Sequence, residues 1–263
     1  MKKYFSIFKA ELLNSLQYLS NVVFGVTSFF VFVFIMFNIW QVIYSDPKEL
    51  INGYTMHQMV WYILITEIVY KSVEQRKLCR EISKDIKTGN ISYNLNKPYN
   101  YILYSFFRQS GRTFINLVSY LIIGISLGIL MLKEIPSLDF INIVMFLLIV
   151  ILAEAIATLI VIMIGLFSFY FEDSSPMLWM YSKLILVFGT IFPIEFFPEW
   201  IQGFLKYSPV YVTSYGPAKM FIKFELGEGI SILLSQIVYV VISYSLCQLI
   251  YSKAFKRLVI NGG

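Results

Sequence analysis

The ionisable side chains that could do chemistry in this chain are few, and most of them lie in or beside apolar stretches. The chain has one histidine, His57, and two cysteines, Cys79 and Cys247. Glu67 and Glu154 lie in otherwise apolar runs, where an ionised group costs about 2.5–3.5 kcal/mol if the run spans a membrane. Such carboxylates could bind a cationic substrate or relay protons, but we favour structural pairing or the lining of a cavity.

Three basic residues are candidate partners for these carboxylates. Lys71 follows Glu67 by one helical turn, a spacing that lets the two side chains meet. Arg108 and Arg112 precede the next apolar stretch and could reach either carboxylate. We interpret His57 as an interfacial polar residue rather than a proton relay.

Motifs for metal or nucleotide chemistry are missing from the sequence. It has no Cys-x-x-Cys, no His-Glu-x-x-His and no glycine-rich Walker pattern ending in Gly-Lys-Ser/Thr, the patterns that hold zinc or nucleotide phosphates. Both cysteines are predicted on the cytoplasmic side, where structural disulfides are rare. We therefore predict that the chain is not an enzyme and does not hydrolyse nucleotide by itself.

The elements that must position these residues are apolar stretches long enough to cross a bilayer. Hydrophobic residues make up 58% of the chain and charged residues 14%, and the mean hydropathy is +0.70. About 20 apolar residues in a helix span the hydrocarbon core. We predict an all-α polytopic membrane protein with one domain, residues 1–263. Its six spans are predicted at about residues 22–43, 55–73, 114–132, 140–171, 177–195 and 230–251.

Two segments beside the spans are predicted to lie at the membrane interface. Residues 4–20 form an amphipathic helix, and its apolar positions recur at spacings of three and four. These positions are Phe5, Phe8, Leu12, Leu16 and Leu19. After the fifth span, Pro193 and Pro198 break helical hydrogen bonding, so short interfacial or re-entrant helices should follow. Gly124 and Gly128 form a Gly-x-x-x-Gly, which permits close approach of helices.

The distribution of Lys and Arg indicates the orientation of the chain. Of the 21 basic residues, sixteen fall in the segments on one side of the predicted spans and five on the other. Because Lys and Arg accumulate on the cytoplasmic side, both termini should lie in the cytoplasm. The longest cytoplasmic loop is then residues 74–98.

This loop is predicted to contain a short amphipathic helix that ends at Gly89. Ile82 and Ile86 lie one turn apart on one side of it, and glycine commonly ends helices. The basic residues around them are Arg80, Lys84 and Lys87. A basic loop lying on anionic lipid would have the same composition.

Two motifs of this chain resemble those of ABC type-2 transporter permeases. The first is Glu81-Ile82 … Ile86-x-x-Gly89-x-Ile91-x-x-x-Leu95-x-Lys97-Pro98, between the second and third spans. The second is Gly189-x-x-x-Pro193 … Phe197-Pro198-x-Trp200-Ile201 … Pro209, after the fifth span. With the six predicted spans and the amphipathic N-terminal helix, the resemblance covers nearly the whole chain.

The resemblance implies a multi-pass permease in the cell membrane that exports an amphipathic or apolar molecule. It implies a second permease chain, identical or homologous, and separate ATPase subunits that bind ATP and Mg²⁺, while this chain binds no cofactor and no nucleic acid. The helix in loop 74–98 would enter a groove of the ATPase, with Ile82 and Ile86 as its apolar contact. The alternatives are a proton-coupled secondary transporter, and a membrane-embedded enzyme or scaffold.

The predicted orientation can be tested with single cysteines placed at Asn52 and Asn90 in a cysteine-free background. The basic asymmetry predicts that an impermeant thiol reagent added to intact cells labels position 52 and not position 90. Labelling after cell lysis controls for reactivity. Labelling of position 90 rather than 52 in intact cells would reverse the orientation.

Overall fold

The computed structural model describes residues 2–17, 20–46, 48–91, 99–136 and 138–261. Within them the chain is almost entirely helical and contains no β-strand. Four residues of the sequence patterns above lie outside the described ranges. They are Leu19, Leu95, Lys97 and Pro98.

The helices follow one another with short connections. They are α1 (Lys2–Gln17), α2 (Ser20–Ile43), α3 (Met56–Ser72), α4 (Gln75–Lys87), α5 (Tyr101–Leu132), α6 (Phe140–Leu166), α7 (Ser175–Ile185), α8 (Glu199–Lys206), α9 (Gly216–Ile222) and α10 (Leu226–Asn261). Two π-helical stretches are part of this path. Leu186–Ile191 extends α7, and Tyr211–Tyr215 leads into α9.

Four helical stretches of the described chain are long and apolar enough to cross a membrane. They are Gly25–Ile43, Tyr101–Leu132, Phe140–Phe169 and Leu226–Ala254. The second and fifth predicted spans correspond to shorter elements, the 17-residue α3 and the apolar stretch Ser175–Ile191.

The third predicted span is part of a longer helix than the sequence indicated. Helix α5 begins at Tyr101 rather than near residue 114 and runs unbroken for 32 residues. The side chain of Asn100 caps it, since its Oδ1 accepts hydrogen bonds from the backbone N–H of Ile102 (2.9 Å) and Leu103 (3.2 Å). The polar first half of α5 and its apolar second half therefore form one continuous helix, which Asn100 caps at its start.

The connections between helices meet at two opposite ends of the bundle. At one end, here called the His57 end, His57 Nδ1 lies 3.0 Å from a carboxylate oxygen of Glu134, and the Tyr44 hydroxyl donates to the Tyr54 carbonyl (2.8 Å). At the other, here called the α4 end, Cys79 Sγ lies 3.4 Å from Ser174 Oγ. Six helices run alternately between the ends. They are α2, α3, α5, α6, α7 and α10.

Helix α3 lies at the centre of the bundle, and α5 crosses it at Gly124 and Gly128. A Cβ atom at Gly124 would lie 2.6 Å from Ile68 Cδ1, and one at Gly128 would lie 2.4 Å from the ring of Trp61. Both partners of the glycines are buried in α3. The missing side chains therefore let α3 and α5 pack closely, as small residues do between membrane helices.

Helix α1 packs on the first half of α5 and leaves part of its apolar surface uncovered. Tyr4 stacks on Phe107 with ring centroids 5.5 Å apart, and a Cβ at Gly111 would lie 2.7 Å from the Phe8 carbonyl oxygen. Phe5 and Leu13 remain 65% and 50% exposed. An apolar surface of this kind suits contact with lipid.

The close contact at Gly128 predicts a stability difference between two glycine substitutions. Gly128→Ala should lower the stability of the purified protein by about 1–3 kcal/mol, because the new methyl group must displace the Trp61 ring. Gly203→Ala is the matched control, since nothing lies within 4 Å of its Cβ position in α8, and alanine favours a helix over glycine. Thermal unfolding in detergent measures both, and equal melting temperatures would contradict the tight packing.

Candidate functional site

Helix α4 is a short amphipathic helix packed across the α4 end of the bundle. Its buried side chains are Gln75, Leu78, Cys79, Ile82 and Ser83. Thr88 follows the last helical residue, and Gly89 has a φ of 71°, the left-handed conformation that glycine adopts without a Cβ penalty. The N–H of Gly89 donates to the Ile86 carbonyl (3.1 Å).

Ile82 lies at the centre of the contact between α4 and α6. Its side chain is 0% exposed, and a Cβ atom on Gly165 of α6 would lie 2.9 Å from the Ile82 Cβ. Ile82 is therefore covered by α6 of the same chain, which leaves Ile86 as the more accessible of the two isoleucines; their contact with an ATPase stays a prediction. Helical periodicity identifies an apolar side of α4 but not what packs on it. Ile86 is partly buried against the same apolar cluster.

Three serine hydroxyls join α4 to the turn between α6 and α7, and we call them the serine cluster. Ser83 Oγ lies 2.5 Å from Ser168 Oγ and 2.8 Å from Ser174 Oγ, and the latter two lie 2.9 Å apart. All three are buried. No sequence pattern indicated the cluster, because its residues belong to three elements and share no common spacing.

Cys79 lies beside the serine cluster but is not poised to react. Burial raises the pKa of the Cys79 thiol above its ordinary value, and the hydrogen bonds with Ser174 and Ser83 offset only part of this rise. A thiolate is the reactive form of cysteine, so the thiol is expected to act as a small packing residue here.

A network of charges, here called the arginine–glutamate network, holds α1, α4 and α5 together. Arg112 of α5 donates to Glu11 of α1 (2.5 Å), and it donates to both carboxylate oxygens of Glu81 on α4 (2.9 Å each). Arg108 also donates to Glu81. The Arg112 side chain is only 11% exposed, so these charge-assisted bonds are weakly screened and fix one geometry.

The same network corrects one predicted pairing of the intramembrane carboxylates. Glu67 pairs with Lys71 (3.6 Å), the partner that helical spacing indicated. Glu154 does not pair with Arg108 or Arg112, because Glu81 and Glu11 hold those guanidinium groups. Among the described residues, both carboxylate oxygens of the buried Glu154 lack a hydrogen-bond partner.

The side of α4 that faces away from the bundle is basic, and we call it the basic surface of α4. Its exposed cations are Arg76, Lys77, Arg80, Lys84 and Lys87. Arg80, Lys84 and Lys87 are the three cations that were predicted around the isoleucines of α4. None of them forms an ion pair with a carboxylate of the described chain. A protein that approached α4 would therefore meet positive charge first, with Ile86 as a half-buried apolar neighbour.

The chain after α7 is broken into short elements, in the segment where the sequence predicted short interfacial or re-entrant helices. Pro193 precedes a 3-10 turn at Ile194–Phe196, and Pro198 precedes α8. Trp200 of α8 is 79% exposed. The carbonyl of Pro209 accepts a hydrogen bond from the Thr213 hydroxyl (2.7 Å) at the start of the second π-helical stretch.

The described residues of this end present a charged helix surface rather than a cluster of metal ligands. In the parts of the chain that the structure describes, no three His, Cys, Asp or Glu side chains come close enough to hold a metal ion. What the site presents instead is an exposed charged helix attached at several points to the apolar bundle.

The arginine–glutamate network predicts how firmly α4 is held. Glu81→Gln removes the charge that binds Arg108 and Arg112. The free energy of opening α4 away from the bundle should therefore fall by about 1–2 kcal/mol, a value between those of exposed and buried ion pairs. Faster amide hydrogen exchange in residues 75–87 would measure this. Glu74→Gln is the control, since its pair with Lys77 is solvent-exposed. Equal exchange in the two variants would contradict the role of the network.

Residues 29–262 match the family model described as ABC-2 family transporter protein. No curated protein matches the chain. The family match agrees with the long apolar helices of the fold and with the resemblance found in loop 74–98 and after the fifth span. Permeases of this family are membrane subunits without a nucleotide-binding domain of their own, and they work with an ABC ATPase in the lipid bilayer. The chain therefore belongs to the ABC-2 family of transporter proteins and is a membrane permease component of an ABC transporter.

Proposed function

We propose that this chain is the permease subunit of an exporter and that a separate ATPase subunit docks on α4. The observation that carries the proposal is the basic surface of α4, which is exposed on a helix tied to α1, α5 and α6. The sequence has no phosphate-binding loop, so ATP-driven transport would draw its energy from another chain. ATP and Mg²⁺ would bind there.

The docking contact is proposed to involve Arg80, Lys84 and Lys87, with Ile86 at its edge. Charged groups at the rim of an interface speed association and select a partner of opposite charge. An acidic groove on the ATPase would match these residues. Gly89 would set the end of the inserted helix, because its left-handed backbone turns the chain away.

We propose six membrane crossings, with both termini in the cytoplasm. The alternation of helices between the His57 end and the α4 end supports this topology, since α3 and α7 pass between the ends like the four longer helices. With 17 residues, α3 falls at the short limit for a transmembrane helix. The α4 end would face the cytoplasm, and the segment containing Pro193, Pro198, Trp200 and Pro209 would enter the outer leaflet.

Movement of α4 is proposed to reach the bundle through two contacts. Ile82 packs on the α6 backbone at Gly165, and the serine cluster joins α4 to the residue that precedes α7. Closely packed interiors have low compressibility and transmit a displacement rather than absorb it. An ATP-driven shift of α4 would therefore move α6 and α7 with it.

A second permease chain, identical or homologous, is proposed to complete the transport pathway. Large apolar side chains are exposed on α7 and α8, and apolar patches of this kind mark contacts with proteins or lipid. They include Met180 (61%), Leu184 (51%), Trp200 (79%) and Phe204 (75%). We propose an amphipathic or apolar substrate, because few charges lie in the predicted spans.

Charge reversal on α4 tests the docking proposal. Lys84→Glu/Lys87→Glu should weaken co-purification of the ATPase by about tenfold and lower ATP-driven transport, because each exposed pair lost contributes up to about 1 kcal/mol. Lys2→Glu/Lys253→Glu is the matched control, since both lysines are exposed and lie on other helices. Wild-type association of the α4 variant would exclude this docking surface.

Reconstitution in liposomes separates the proposal from its alternatives. The chain alone should neither hydrolyse ATP nor transport, and addition of the ATPase and the second permease should restore both activities. Transport by the lone chain under a proton gradient would support a secondary transporter, in which Glu67 or Glu154 should be indispensable. Substrate conversion by the lone chain would support an enzyme instead.

A further inference from the structure

A cavity of about 630 Å³ lies at the α4 end, beside the basic surface. Helices α2 and α3 form one wall, α7 forms the other, and α4 contributes residues between them. The volume falls within the range typical of small-molecule sites. Both charged and apolar side chains line the cavity, and this combination indicates which class of ligand could bind there.

The lining of the cavity carries an excess of positive charge. The four cations in its lining are Lys71, Arg76, Arg80 and Lys183, and the two acids are Glu67 and Asp173. Glu67 is 3% exposed and already pairs with Lys71, and Asp173 accepts a hydrogen bond from the Ser175 backbone (3.0 Å). Two positive charges are therefore left without a counter-charge in the lining.

Two of the basic groups, Lys71 and Lys183, also contact neutral side chains. Lys71 donates to Ser28 Oγ of α2 (3.0 Å), which fixes its ammonium group at the cavity wall. Lys183 lies over the ring of Trp179, 5.8 Å from its centroid. Neither Arg76 nor Arg80 forms an ion pair within the described chain. Such groups can donate charge-assisted hydrogen bonds to an incoming anion.

Apolar and aromatic side chains also line the cavity, together with Ser28, Ser175 and Ser182. The apolar and aromatic side chains include Phe32, Tyr70, Leu178, Trp179 and Leu186. Trp179 is 60% exposed, so its ring is available to a ligand. The lining therefore combines cationic and apolar groups in one space.

We propose that this cavity binds an amphipathic anion, with the acidic head at Arg76, Arg80 and Lys183 and the apolar body against Trp179 and Phe32. A phosphate, sulfonate or carboxylate head would satisfy the unbalanced cations. The binding itself needs no partner chain, whereas its role as the entry site for exported substrate rests on the proposed function. The exported substrate would then be an amphipathic anion, a narrower class than the amphipathic or apolar molecules proposed above.

The test uses radiolabelled dodecyl phosphate and the purified full chain in neutral detergent micelles. Arg76→Gln/Lys183→Gln should weaken its binding about tenfold, since hydrogen bonds from two charged donors are lost. Lys77→Gln/Lys253→Gln removes the same charge from exposed residues that do not line the cavity and should change binding less than twofold. Dodecyltrimethylammonium should bind the wild type and both variants equally. Thermal unfolding shows whether each variant is folded.

Two further measurements complete the test. Inorganic phosphate should displace dodecyl phosphate only at far higher concentration, and Trp179→Ala should weaken binding of dodecyl phosphate. If Arg76→Gln/Lys183→Gln and Lys77→Gln/Lys253→Gln weaken the binding of dodecyl phosphate equally, the proposed site is wrong. It is also wrong if inorganic phosphate competes as strongly as dodecyl phosphate, because the cavity would then bind free anions. If dodecyl phosphate binds as expected but the chain shows no ATP-driven transport, the result contradicts the proposed function and leaves the binding site intact.

Discussion

The arrangement of helices at the α4 end depends on the ion pairs that Arg112 forms with Glu11 and Glu81. This guanidinium group is nearly buried and binds one carboxylate from α1 and another from α4. Neither of these helices has an apolar core of its own, so each needs an attachment to α5. A buried charge without its partners would cost several kcal/mol, and this cost keeps the three helices in one relative arrangement.

Packing adds to what the charges specify. Burial of the Ile82 side chain contributes roughly 1.5–3 kcal/mol, which exceeds the value of an exposed ion pair. Gly165 permits this contact because any side chain there would collide with Ile82. The charges thus select the arrangement of α4, while the close contact with α6 supplies much of its stability.

Helix α4 consequently presents different chemistry on two sides. Towards α6 it is apolar and tightly packed, with Ile82 and Leu78 fully buried. On the basic surface, Arg76 and Arg80 line the cavity, and Lys84 and Lys87 follow on the same side of the helix. If a partner docks on α4 as proposed, a displacement of the helix would move the charges that line the cavity as well as α6 and α7.

The amino-acid sequence by itself determined the class of the protein and its apolar stretches, although α5 begins at Tyr101 rather than near residue 114. Apolar stretches near 20 residues carry this information because a backbone in lipid must satisfy its hydrogen bonds within a helix. It also located α4 and its end at Gly89, since periodicity and a left-handed glycine are local properties. Only the tertiary structure decided that Ile82 faces inward, that Arg112 binds Glu11 rather than Glu154, and that three distant serines meet. Those outcomes depend on which surfaces come together, and no spacing within one helix specifies its neighbour.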